Sequence, residues 1–233
     1  IKSRDGNGIR ATMDASNTSD LIITTQGTIN HNYIGINADH YGSGNVTVTV
    51  DEAITAGSDN TTHGVGIESN TADSDALVTL NANAAITGGE GADIDSQNAI
   101  NVTLGAAGRL EGTSGRGLDV RTRTAGAAVT VAGSSSSTNT ITGTSFGIEA
   151  FSANSSVTIQ DLEAVSGDTN DRISVRSGGG AVAIKNIGSV TSVDSRAIDI
   201  DTRINEQGNR TGGADISIQN VAVNEFEDPS NPT

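Results

Sequence analysis

Apolar and polar residues alternate in short stretches along this chain, and the same three stretches return in the same order. The first is centred on an apolar anchor, usually within a phrase such as Gly-Ile-acid-Ala, and its anchors are Ile9, Ile36, Ile67, Ile94, Leu118, Ile148, Ile173 and Ile198. The seven intervals between these anchors average 27 residues. A regular period of about 20–50 residues is the sequence signature of a solenoid or a propeller.

Each period holds two further stretches with β-strand character. The second stretch alternates as in Val-Thr-Val and occurs at 46–50, 77–80, 102–104, 129–131, 157–159, 182–184 and 216–218. The third resembles Ile-Thr-Gly and occurs at 54–55, 86–88, 110–112, 141–143, 165–167 and 190–191. Branched residues bounded by Gly, Asn, Asp and Ser are typical of short strands, and no stretch has helical spacing. Three strands per period predict one coil of a three-sided parallel β-helix.

The predicted fold is therefore all-β: a right-handed parallel β-helix of about eight three-strand coils. Coils that stack about 4.8 Å apart would form a rod roughly 38 Å long. We assign residues 1–223 to this single solenoid. Residues 224–233 are an acidic tail that contains both prolines of the chain, and they are predicted to be a linker.

Composition agrees with such a rod. Aromatic residues number five, whereas Gly numbers 29 and Pro only 2. A narrow interior of stacked Ile, Val, Leu and Ala has little room for repeated rings, and proline would remove a ladder donor. Cysteine is absent, which excludes a disulfide scaffold and a cysteine-based zinc module.

The formal net charge of −15 argues against a nucleic-acid partner, which needs clustered Lys and Arg. No apolar run approaches the roughly 18 residues of a membrane span. The chain opens at Ile1 without a leader-like stretch, and we interpret it as an internal segment of a longer protein.

Period-two alternation from the anchors predicts which side chains point outward. It places four carboxylates in one outward column over four consecutive coils, at Glu68, Asp95, Asp119 and Glu149. We interpret this column as a solvated acidic face, partly neutralised by Arg121 and Arg123, in preference to a cation or polysaccharide site.

Candidate chemistry is sparse. Residues 88–93 match the opening of a calcium-binding nonapeptide, but a single copy out of phase is best explained as chance. The three histidines, His31, His40 and His63, are expected to be surface turn residues, with His31 and His40 near one corner beside Tyr33 and Tyr41. No triad, HExxH or GxSxG pattern is present, so we predict no enzymatic activity, no metal and no cofactor.

Departures from the repeat are the best candidates for binding. Residues 202–213 enlarge the last coil, and insertions in solenoids often carry binding. The predicted partner-binding residues are Arg203 and Arg210 in that insertion and Phe151 in an outward polar column, followed by Tyr33 and Tyr41.

The Gly-Ile-acid-Ala phrase, the Val-Thr-Val strand and the Ile-Thr-Gly closure resemble the passenger domains of bacterial autotransporters (type V secretion). The resemblance covers nearly the whole chain and rests on repeat style, since it includes no diagnostic motif. It implies a protein that is secreted or held at the bacterial cell surface. It also implies an outer-membrane barrel, C-terminal to this chain, as the point of membrane contact.

The resemblance further implies a monomeric virulence factor that binds host cells. Such a passenger acts as an adhesin or as a released ligand for a host receptor or the extracellular matrix, for example of the angiogenic-factor type. Three alternatives remain: a polysaccharide lyase or hydrolase on the same fold, a phage tail protein, and an ice-binding solenoid.

Overall fold

Short parallel strands wind into a rod in the computed structural model, which describes residues 6–70, 76–134, 138–192, 195–203 and 212–225. Twenty-one strands are present among these residues and no helix. The strands are β1 Ile9–Met13, β2 Leu21–Thr25, β3 Ile29–Asn30, β4 Ile36–His40, β5 Val46–Val50, β6 Ile54–Thr55, β7 His63–Ser69, β8 Leu77–Ala82, β9 Ala85–Gly88, β10 Glu90–Ser96, β11 Ala99–Leu104, β12 Arg109–Gly112, β13 Leu118–Thr122, β14 Val129–Gly133, β15 Thr140–Gly143, β16 Ile148–Ser152, β17 Val157–Gly167, β18 Ile173–Ser177, β19 Val182–Ser192, β20 Ile198–Asp201 and β21 Ile216–Glu225.

All strand pairs are parallel and join each strand to its equivalent one coil later. The first sheet has eight strands in the order β1-β4-β7-β10-β13-β16-β18-β20. A second sheet has thirteen strands, eleven on its main path with β19 and β21 beside β17, and covers the other two sides. The prediction of a right-handed parallel β-helix is confirmed, with about seven turns.

The second and third strands of a coil merge from the sixth coil onward into β17, β19 and β21. Each long strand bends at a residue with positive φ: Asp161, Asn186 and Asn220. The bends stack, because Asn186 Nδ2 donates to Asp161 Oδ1 (2.8 Å) and Asn220 Nδ2 donates to Asn186 Oδ1 (3.0 Å). Asn and Asp tolerate the left-handed region better than other non-glycine residues, so this ladder fixes the bend.

The interior is a continuous column of Ile, Val, Leu and Ala. The predicted inward positions are confirmed, since Ile94, Ile148 and Ile173 have no exposed surface. Burying an aliphatic side chain of this size contributes about 1.5–3 kcal/mol, and the repetition of such residues in every coil holds the rod together.

Register in the first sheet differs from the predicted alignment. Ile36 pairs with Val65, and Ile67 pairs with Ala38; in the same way Val120 pairs with Ile94. The anchors chosen in the third and fourth coils were therefore two residues too late. Because side chains alternate with period two, this slip keeps every residue on its predicted side of the sheet and moves it to a different column.

A glycine ladder lines the corner before the first sheet in six successive coils, at Gly8, Gly35, Gly64, Gly91, Gly117 and Gly147. The seventh coil has Arg172 in this place, and Arg172 has no exposed surface. Its guanidinium donates to three carbonyl oxygens: Nε to Thr191 (2.9 Å), Nη2 to Asp168 (3.3 Å) and Nη1 to Asn170. Arg172 thus links the turn before β18, through Asp168 and Asn170, to Thr191 in the neighbouring coil by hydrogen bonds.

Strand β21 reaches Glu225, two residues past the predicted end of the solenoid. The remainder of the predicted tail, 226–233, lies outside the described residues. Among the residues that are described, no helix is long and apolar enough to cross a membrane.

Candidate functional site

Charge is concentrated on the solvent side of the first sheet, which we call the charged face. Of sixteen outward positions in its two strand columns, eleven carry a charged residue: Arg10, Asp39, Glu68, Asp93, Asp95, Asp119, Arg121, Glu149, Arg176, Asp199 and Asp201. The twelve outward positions of β2, β5, β8, β11, β14 and β17 before the bend carry none. Lys185 on β19 and Glu111 and Glu163 on the third side are charged as well, so the charged face is the side on which charge is densest.

The carboxylates of this face form two columns, and the predicted single column is wrong. Asp93, Asp119 and Glu149 are consecutive register partners in the column nearer the start of each strand. Glu68 and Asp95 are partners in the other column. The two-residue slip of the anchors explains the difference.

A third column runs along the corner that precedes the first sheet, and we call it the corner column: His63, Glu90, Arg116 and Phe146. His63 Nδ1 lies 3.2 Å from Glu90 Oε2, and Arg116 Nη1 donates to Glu90 Oε1 at 2.8 Å. The Arg116 guanidinium carbon lies 5.9 Å from the centre of the Phe146 ring, within cation–π range. Each member therefore contacts a complementary neighbour one coil away.

Arginines pair with the carboxylates of the sheet, and one of them, Arg116, belongs to the corner column. Arg121 makes a two-pronged contact with Asp119 (Nε–Oδ1 3.0 Å, Nη2–Oδ2 2.7 Å). Arg116 Nη1 lies 3.2 Å from Asp119 Oδ2, and its Nε donates to Glu149. Arg123 likewise pairs with Asp95 (Nε–Oδ1 2.6 Å), which confirms the prediction that Arg121 and Arg123 neutralise part of this face.

The pKa values of Asp119, Asp93 and His63 in this network are all raised. Asp119 is 2% exposed, and desolvation raises its pKa to about 6 despite its contact with Arg121, with Asp93 adding to the rise. Desolvation likewise raises the pKa of Asp93. The pKa of His63 is raised although its burial acts in the opposite direction, because Glu90 and Asp93 both favour the imidazolium.

A depression of about 320 Å³ opens on the charged face beside this network. Gly66 lines it, stands between Asn37 and Asp93 in the first column and has no side chain to fill the gap. The lining residues are Ile34, Asn37, Asp39, His63, Gly66, Ile67, Glu68, Asp93 and Asp95. Four of the nine are carboxylates, so the depression favours a positively charged occupant.

Tyr41 stands near this depression and is 38% exposed. The charge of Glu68 raises the pKa of its hydroxyl most, and desolvation and the charge of Asp39 raise it further. A partly exposed aromatic ring beside carboxylates is a suitable contact for a cationic side chain, through both charge and cation–π attraction. Of the predicted binding residues, Tyr41 is the one that the structure connects to the depression.

Tyr33 and Tyr41 do not share a corner, contrary to the prediction. Strand β4 separates them and spans roughly 16 Å at the usual rise per residue. The companion histidines are not surface turn residues either, since His31 and His40 are buried. His40 Nδ1 accepts from Gly42 N–H (3.1 Å) and Nε2 donates to the Ser19 carbonyl (2.9 Å), so both ring nitrogens bind the backbone and His40 has a structural role.

The remaining predicted binding residues have different outcomes. Phe151 is 7% exposed, because it lies between Arg121 and Arg176 on neighbouring strands, so it is a packing residue and not a free contact. Arg203 is exposed and its Nε lies 3.4 Å from Asp201 Oδ1. Arg210 and most of the 202–213 insertion lie outside the described residues.

Sequence reasoning missed the corner column and with it His63, Glu90 and Arg116. A signal was present: each of these residues directly precedes a glycine of the ladder. Aligning the coils on those glycines, and not on the apolar anchors, would have placed the three in one column. Residues 88–93 resemble the opening of a calcium-binding nonapeptide. In the structure Glu90 of this segment pairs with His63 of the preceding coil, which gives the acidic residue a structural role.

Comparisons of the chain with protein-family models, with curated proteins and with solved structures gave no match.

Proposed function

We propose that this chain is the passenger of a bacterial autotransporter, displayed at the cell surface or released from it, and that it binds a partner on host cells or in the extracellular matrix. The charged face is the binding surface. The partner presents a basic segment whose Lys or Arg side chains enter the depression over Gly66.

The observation that carries this proposal is the uneven distribution of charge around the rod. Charges that served only solubility could lie on any side of a solenoid, yet eleven of the sixteen outward positions of the first sheet are charged, and the twelve outward positions of β2, β5, β8, β11, β14 and β17 before the bend carry no charge. Clefts lined by one sign of charge concentrate oppositely charged ligands and accelerate their association.

Two rim carboxylates provide the test. Glu68 is exposed and Asp95 is partly exposed, so the double variant Glu68→Gln/Asp95→Asn removes two charges from the depression and leaves the core unchanged. Binding of the purified protein to cultured animal cells and to immobilised matrix proteins should fall at least tenfold. Wild-type binding should also weaken as salt is added, because rim charges act mainly on association.

The matched control removes two charges from the second sheet. Glu111 and Glu163 are exposed carboxylates on β12 and β17, and Glu111→Gln/Glu163→Gln changes the net charge by the same amount. This control should bind like the wild type. Equal loss in both double variants would show that only net charge matters, and absence of wild-type binding would remove the proposal.

A further inference from the structure

We propose that His63, Glu90 and Asp93 form a binding site for a divalent transition metal ion of the Zn²⁺ class. The three residues come from β7 and β10, on consecutive coils, and each presents one donor atom within 4.8 Å of the other two. His63 and Asp93 also line the depression over Gly66, but the metal site is tested without the proposed host partner.

The donor set is chemically specific. One imidazole nitrogen with two carboxylate oxygens suits Zn²⁺ or Co²⁺, whereas Ca²⁺ prefers six or more oxygen ligands. Ligands of a tetrahedral zinc ion lie about 2.0–2.2 Å from the metal. The distances between the three donor atoms therefore have to shorten by on the order of 1 Å when a metal binds. The side chain of Asp93 is partly exposed and can make this movement.

His63 carries the second observation. Its Nδ1 is shielded from solvent and makes no hydrogen bond of regular geometry among the described residues, although Glu90 Oε2 lies 3.2 Å away. Glu90 Oε2 is thus the partner that faces this nitrogen, and a metal ion held between the two atoms would take the place of the proton that otherwise bridges them.

The surroundings also meet the needs of a metal site. Arg116 holds Glu90 by Oε1 (2.8 Å) and leaves Oε2 directed at His63, which is the orienting role of an outer-shell partner. His63 and Asp93 both line the depression over Gly66, which gives an entry path and room for water as a fourth ligand.

A proton on His63 is the competing occupant, because an imidazolium between Glu90 and Asp93 satisfies the same charges. The two states differ in measurable ways. At pH 7.5 after removal of metals with EDTA and dialysis, Zn²⁺ should bind with a stoichiometry of one in titration calorimetry and raise the Tm. Co²⁺ should give visible absorption bands typical of nitrogen–oxygen coordination.

Variants then assign the site. Asp93→Asn is the mild change, since this side chain is partly exposed, and His63→Gln removes the nitrogen; each should weaken Zn²⁺ binding at least tenfold. Glu111→Gln, on another side of the rod, is the control and should leave Zn²⁺ affinity unchanged. The Co²⁺ spectrum of the wild type keeps the test valid if a variant does not fold.

Two results would overturn the site. One is the absence of saturable Zn²⁺ binding and of any Tm change in the wild type, which would leave the trio as a proton-bridged ion pair. The other is binding with several ions per chain that His63→Gln does not alter, which would indicate adsorption to the acidic surface.

Discussion

His63 and Glu90 are register partners on neighbouring coils, with Nδ1 of the histidine 3.2 Å from Oε2 of the glutamate, although 26 residues separate them in the chain. Arg116 extends this contact one coil further. Charged residues at one corner of a solenoid thus pair along the rod axis, and the order of charges from coil to coil decides whether a corner is stabilised.

Gly64 is required for the close approach of neighbouring coils. A Cβ at Gly64 would lie 2.4 Å from Ile86 Cγ2 and 2.7 Å from the Gly91 carbonyl oxygen, so Gly64→Ala should reduce the free energy of unfolding by about 1–3 kcal/mol or more. Urea unfolding measures this. Gly66→Ala is the control, because its Cβ meets nothing nearer than 3.4 Å.

The same control tests the depression. Gly66→Ala should change stability by no more than about 0.5 kcal/mol while filling the floor of the depression. Partner binding should therefore weaken in a protein that unfolds like the wild type. Unchanged partner binding would place the contact elsewhere on the charged face.

Arg172 should be among the most sensitive positions for stability. Arg172→Met would leave the carbonyl oxygens of Thr191, Asp168 and Asn170 without their donor inside the protein, at a cost of about 3–5 kcal/mol. Arg176→Met, at an exposed position of β18, should cost no more than about 0.5 kcal/mol. Similar denaturation midpoints for the two variants would contradict this role.

Two substitutions of Asn186, at the stacked bend of the long strands, separate the loss of its hydrogen bonds from backbone strain. Asn186→Ala loses both amide hydrogen bonds and places alanine at a φ of 53°, and should destabilise the protein by about 1–3 kcal/mol. Asn186→Gly loses the same hydrogen bonds without the backbone strain, so it should cost less. If thermal unfolding ranks glycine below alanine, the strain at this bend is not significant.

Stability should fall as pH rises through the range in which Asp119 ionises. The pKa of Asp119 is about 6 in the folded chain and about 3.9 when unfolded. Between these values the folded state binds more protons, so the free energy of unfolding decreases as pH rises and levels off above about 7. The full effect is on the order of 3 kcal/mol.

Chemical denaturation between pH 4.5 and 8 in the presence of EDTA checks this, with Asp119→Asn as the comparison. The raised pKa of His63 acts with the same sign, because the stability that it contributes at low pH is lost as pH rises through its folded value. The raised pKa of Asp93 also acts with this sign, so the variant should retain a smaller slope from His63 and Asp93. A stability that increases towards pH 8 in the wild type would contradict the prediction.

The sequence by itself determined the architecture. Period-two alternation fixes which side chains are inside, so the burial of Ile94 and Ile148 and the parallel stacking of coils follow from local pattern and from the cost of exposing apolar surface. The presence of a charged side of the sheet follows in the same way, because the outward positions near each anchor are acidic.

Only the tertiary structure decided which of those outward residues are neighbours. Shifting the register of one strand by two residues keeps the same side chains buried, so the hydrophobic pattern cannot distinguish the two alignments. The true register nevertheless places Glu68 and Asp95 in a different column from Asp119 and Glu149. The burial of Phe151 depends likewise on its neighbours in the adjacent coils, Arg121 and Arg176. Contacts such as His63–Glu90 join residues a full coil apart, and glycine spacing and backbone register, which hydrophobicity does not encode, set their distance.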